Sequence, residues 1–175
     1  MAYEFGIERW HDFYVTVGAA SATLAGLLFV GLSLHLAIVV SHSDVRQLAR
    51  VTLTNLILVL LVALFMLIPT ATAQQTGIEL VPSAFGAMFF VARAAMESRR
   101  AGLSRQIRPS LLLSRFGLSS LAFVAQGAIG VLFLVGQTSL ALNWLVGVIV
   151  ILLVVAVRNA WDLLVTVAEK RPLQA

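Results

Sequence analysis

Between Arg115 and Arg158 the chain runs for 42 residues, Phe116 to Val157, without a charged side chain. As a single α-helix this stretch would be about 63 Å long, roughly twice the hydrocarbon thickness of a bilayer. It must therefore fold back on itself. Gln137-Thr138-Ser139 is the polar tripeptide nearest its middle. A turn is predicted there, between one span at about 116–136 and another at about 140–160.

Charged residues act as rulers upstream as well. Asp12 and Asp44 bracket the uncharged stretch Phe13–Ser43, which predicts a first span over about 13–40. Val51–Ile78 is the next uncharged stretch. It predicts a second span over about 49–70 that ends near Pro69, with Gln74, Gln75, Thr76 and Gly77 making the turn. Residues 79–96 give the weakest signal, because only 13 uncharged residues separate Glu79 from Arg93 and Pro82 is expected in the first helical turn. They form a span if Arg93 snorkels its charge to the headgroups, and a re-entrant segment if it does not.

The composition agrees with this pattern, since 60% of the residues are hydrophobic and 11% charged, whereas a soluble domain carries about 25% charge. Too little polar surface remains for an α/β or β-sandwich enzyme scaffold. The expected fold is an all-α integral membrane protein, one transmembrane domain over residues 1–175 forming a bundle of five helices. The alternative is four helices plus the re-entrant segment.

The 11 Arg and one Lys outweigh eight acids, for a formal charge of +4. The basic residues lie between apolar spans without interleaved aromatics, so topology explains them and no nucleic-acid partner is expected. With five spans and the N-terminus outside, every basic residue except Arg9 falls on the cytoplasmic side. Four spans with both termini inside give a ten-to-two split that leaves Arg46 and Arg50 outside. The five-span arrangement also explains an outward N-terminus carrying Glu4, Glu8 and Asp12. No cleavable signal peptide is expected, because the first residues are acidic and the first apolar run exceeds an h-region. The preference for Arg over Lys points to a GC-rich genome and hence to a bacterial plasma membrane.

Trp10, Phe13, Tyr14, Trp144 and Trp161 sit where interfacial aromatic belts are expected. The linker 97–115 places Leu103, Ile107, Leu111 and Leu112 among arginines. It reads either as a surface helix that attracts anionic lipids or as a solvated topogenic loop interrupted by Pro109.

Gly18, Ala22 and Gly26 recur at steps of four, a small-residue pattern that lets helix backbones approach closely in lipid. The contact they predict is either within the chain or between subunits. Ser119, Ala122, Gln126 and Gly130 repeat the theme, and Asn143 and Gly147 extend it to the last span. Polar residues inside spans are costly, which makes Ser21, Ser33, His35, Asn55 and Gln126 candidate sites. His35 and Asn55 lie at comparable depths and could share a hydrogen bond. Arg93 and Asp162 fall near the same membrane face and could form a charge pair. The chain has no Cys, no HExxH, no P-loop, no nucleophile elbow and no paired intramembrane carboxylates. No enzyme activity, metal or cofactor is expected.

The stretch Phe13–Leu34, through Phe13-Tyr14, Gly18, Ala22, Leu24, Gly26-Leu27, Phe29-Val30 and Leu32, resembles the opening helix of small uncharacterised bacterial multi-pass proteins. Ser21-Ala22, Leu24, Gly26 and Val30 are also similar to the pore-lining helix of Orai-type calcium channels. That resemblance implies a hexamer with the first helices around a pore. Leu34 and His35 stand where those channels carry an acidic selectivity ring, so calcium selectivity does not follow. The functional expectation is a small homo-oligomer that forms an ion- or solute-conducting pore lined by the first span. The alternative is a non-conducting scaffold or regulatory subunit that binds another membrane protein.

Overall fold

The computed structural model describes residues 2–69, 72–100 and 117–170, with side chains from residue 8 onward and through 97 in the middle segment. Six helices and no strands occur among them: α1 (Ala2–Leu34), α2 (Leu36–Ser41), α3 (Ser43–Met66), α4 (Ala73–Arg100), α5 (Leu118–Leu134) and α6 (Thr138–Glu169). Four segments are long and apolar enough to cross a membrane, namely Glu8–Leu34, Ser43–Met66, Ala73–Glu97 and Thr138–Glu169. With 17 residues, α5 is equally apolar but about 26 Å long.

Several predicted boundaries move. The first span does not run unbroken to residue 40. It stops at Leu34, where His35 takes φ −122° and ψ 28°, and the short α2 follows. The Gln74–Gly77 segment is helix rather than turn. Thr72 caps α4 by accepting the Gln75 N–H on its hydroxyl at 3.2 Å, as expected for a Thr followed three residues later by Gln. The turn consequently lies upstream, and Pro82 is in the helix interior instead of its first turn. An interior Pro removes one backbone bond, a defect that neighbouring helices make tolerable in membrane proteins. The stretch 79–96 is thus part of one continuous helix. The linker residues Leu103, Ile107, Leu111 and Leu112 lie outside the described residues.

The turn in the long uncharged stretch falls at Val135–Gln137. Gly136 adopts φ +81°, which suits a residue without Cβ. Its N–H donates to the Phe133 carbonyl, and the Gln137 N–H donates to Leu132 O at 2.9 Å. This double bond pattern satisfies the last carbonyls of α5 and reverses the chain into α6.

The five long helices α1, α3, α4, α5 and α6 run alternately up and down, as the pairs Ser21–Leu56, Gln47–Glu97 and Gln126–Ser83 require. α3 is central, packing on α1, α4 and α6, while α5 lies between α4 and α6. One core cluster joins Tyr14, Val59, Met66, Leu80, Phe133 and Leu145. A second, toward the opposite end, joins Leu28, Val45, Leu48, Leu56, Ala156 and Leu163. α4 and α5 approach closely at two glycines: a Cβ added to Gly77 would lie 2.8 Å from the Gly130 carbonyl oxygen, and one added to Gly130 would lie 2.8 Å from Val81 Cγ2. Ion pairs close the other end. Lys170 at the end of α6 bonds Asp44 at the start of α3, and Arg50 Nη1 is 2.7 Å from Glu97 Oε2.

Candidate functional site

Two groups of polar residues separate in the structure, one sealed inside the bundle and one at its rim. Inside, the Ser21 hydroxyl donates to the Leu56 carbonyl at 2.6 Å, tying α1 to α3. Ser21 is fully buried, so it does not line a wet face. Asn55 Nδ2 donates to Ser119 Oγ at 2.9 Å, linking α3 to α5. The expected His35–Asn55 bond is therefore replaced. Asn55 faces the bundle interior, and the His35 ring nitrogen Nδ1 lies 3.1 Å from the Gly31 carbonyl of its own helix. Gln126 Nε2 donates to Ser83 Oγ at 3.1 Å, linking α5 to α4, and Ser83 in turn donates to Leu80 O. Among the described residues, the oxygens Asn55 Oδ1 and Gln126 Oε1 accept no hydrogen bond.

Ser119, Ala122, Gln126 and Gly130 are all buried on one face of α5. The small-residue steps of α1 divide. Gly18 meets α3 closely, with Ala63 Cβ 3.1 Å from where its own Cβ would be, whereas Ala22 and Gly26 are exposed and nothing lies within 4 Å of a Cβ added to Gly26. Helical geometry accounts for this, because residues at steps of four drift 40° around the axis. Tyr14, Ser21 and Leu28, at steps of seven, hold the buried stripe. Asn143 and Gly147 on α6 are exposed as well.

The outer face of α1 carries Val15, Ala19, Ala22, Gly26, Val30 and Ser33. Its hydroxyls are spent on its own backbone: Thr16 on Asp12 O, Thr23 on Ala19 O and Ser33 on Val30 O, at 2.7 to 2.8 Å. Such a face presents close-packing surface and no free donor.

At the rim, Glu97 is the organising group that the sequence reading missed. Gln47 Nε2 and Arg50 Nη1 both donate to its Oε2, at 2.8 and 2.7 Å, and Arg93 Nη2 lies 4.0 Å from its Oε1. The expected Arg93–Asp162 pair is not the one formed. Arg93 belongs to α4, which meets α3 and α5, and its guanidinium lies over the Phe89 ring at 5.9 Å while facing Glu97 one turn on. The i,i+4 spacing of Arg93 and Glu97 is the signal that could have shown this. Among the described residues no three His, Asp or Glu side chains converge where they could hold a metal ion. No protein-family model, curated protein or solved structure matches the chain.

Proposed function

We propose that this chain is a non-conducting membrane scaffold that associates side by side through the outer face of α1, in the first instance with further copies of itself. The observation that carries this reading is the exposed Ala22–Gly26 surface with open space at Gly26. A helix-interior Gly costs about 1 kcal/mol relative to Ala. That cost is recovered where a second backbone approaches, and small residues are what such crossings use in lipid.

The same reading takes α5 as a fifth span. It lies along α4 from the Gln126–Ser83 bond to the Gly77–Gly130 crossing, and Ser119 reaches Asn55. Five crossings gather Arg46, Arg50, Arg93 and Lys170 at one end and leave Arg9 at the other, which by the positive-inside rule makes the first end cytoplasmic in a bacterial inner membrane.

The absence of Cys permits a direct test. Single variants Ala22→Cys and Gly26→Cys, oxidised in vesicles, should form disulfide-linked dimers, and Leu27→Cys, about 100° away around the helix, should not. Equal crosslinking at all three positions, or none, refutes the interface.

A conducting reading is favoured by one feature, the break at His35, since interrupted helices are where conduits through membranes are often built. It requires protein-dependent ion flux from liposomes that is lost in Gly26→Leu. Flux of that kind would replace the scaffold reading, whereas a tight vesicle with crosslinked protein upholds it.

A further inference from the structure

A groove of about 390 Å³ opens between α3 and α4 at the arginine-bearing end of the bundle. Its outer edge is Arg50, Arg93 and Glu97, and its floor toward the bundle middle includes Leu53, Ile57 and Phe90. Ile57 and Phe90 are 45% and 65% exposed, and the two arginine side chains 52% and 60%. The groove is therefore open to whatever surrounds the helices, charged at one end and apolar at the other.

The charge in this groove does not close internally. Two guanidinium groups face one carboxylate, leaving a formal excess of one positive charge. Arg50 spends a single N–H donor on Glu97, and Arg93 stands beyond hydrogen-bonding distance of it. Each guanidinium has five donors in a planar fork suited to phosphate oxygens. Gln47 is buried behind the groove with its Nε2 on the same Glu97 oxygen, and Thr54 returns its hydroxyl to Arg50 O at 2.8 Å, so the arginines are the groups that select a ligand. Arginine on the outside of a membrane helix is costly without a counter-charge. Glu97 supplies half of what is needed.

We infer that the α3–α4 groove binds an anionic glycerophospholipid, its phosphate against Arg50 and Arg93 and an acyl chain along Ile57 and Phe90. A headgroup of net charge −1 matches the +1 excess, whereas the phosphate of a zwitterionic lipid brings its own cation. The apolar floor continues from the charged edge in the direction an acyl chain takes from its phosphate. The site is separate from the outer face of α1 and holds whether or not copies of the chain associate there.

The test uses the full-length protein in detergent, with binding read by native mass spectrometry. Phosphatidylglycerol and phosphatidylcholine of identical acyl chains are titrated in parallel, with inorganic phosphate as a third arm. Phosphatidylglycerol should bind at least tenfold more tightly than phosphatidylcholine, and phosphate alone should bind weakly because it gains nothing from the apolar floor. Arg93→Gln, which disturbs no bond between helices, should weaken phosphatidylglycerol binding about tenfold, the value of one charge-assisted hydrogen bond. Glu97→Gln removes the internal competitor and should tighten it. Ile57→Ser should weaken both lipids and leave the response to phosphate unchanged. Equal binding of the two lipids, or unchanged phosphatidylglycerol binding in Arg93→Gln, overturns the site. Phosphate binding as tight as the lipid would overturn the lipid assignment in favour of a free anion.

Discussion

Glycines of one sequence can answer opposite demands, and Gly77 and Gly26 allow this to be measured. Replacing either by Ala removes the helix-interior penalty of Gly, a gain of about 1 kcal/mol if nothing else changes. At Gly26 the new methyl meets no other helix, because among the described residues nothing beyond its own stretch of α1 lies within 4 Å of it. At Gly77 the methyl would sit 2.8 Å from the Gly130 carbonyl oxygen and 2.9 Å from Leu134 Cγ. The first of these is backbone, so no rotamer change relieves it and α4 must move away from α5. Overpacking of this kind costs about 1–3 kcal/mol, and separation also stretches the Gln126–Ser83 bond on the same interface. Gly77→Ala is therefore expected to be less stable than Gly26→Ala by about 1–3 kcal/mol. Reversible unfolding in mixed micelles, at protein concentrations low enough to keep the chain monomeric, supplies the comparison through tryptophan fluorescence and far-ultraviolet dichroism. Equal stability of the two variants, or a more stable Gly77→Ala, would refute the view that α4 and α5 are held at backbone contact.

Two further expectations concern polar ties. The pair between Asp44 and Lys170, each about a quarter exposed, should show a coupling of about 1 kcal/mol in a double-mutant cycle with Asp44→Asn and Lys170→Gln, shrinking as salt is added; a coupling that is absent at low salt counts against the α3–α6 closure. Ser119→Ala leaves the buried Asn55 amide with no partner on either atom and should cost about 1–2 kcal/mol in the same unfolding assay, and unchanged stability would show that Asn55 finds another acceptor.

Much of the architecture was legible before any coordinates, because it depends on groups close together along the chain. The absence of charge from Phe116 to Val157 required a reversal, and Gly136 provides it one residue before the polar tripeptide. The spacing of Ser119, Ala122, Gln126 and Gly130 marked one helix face, and that face is buried. Local signals were also overlooked. Thr72 and Gln75 spell a helix start, yet the polarity of Gln74-Gln75-Thr76 reads as a turn when hydropathy alone is followed.

What the chain by itself determined is the all-helical class, the apolar stretches and the reversal within Phe116–Val157, since each follows from where charge is absent along the chain, whereas the break at His35 and the start of α4 at Ala73 belong to the structure. Only the tertiary structure decided the partners. Asn55 meets Ser119 rather than His35, Ser21 meets the Leu56 carbonyl, and Arg93 turns to Glu97 instead of Asp162. It also decided that Gly18 packs inward while Ala22 and Gly26 remain outside. The physical reason is that lipid is as apolar as a leucine core, so hydropathy does not distinguish a helix face that meets lipid from one that meets protein. That choice is made by the fit of backbones and the pairing of a few buried polar atoms, which are non-local properties of the packed bundle.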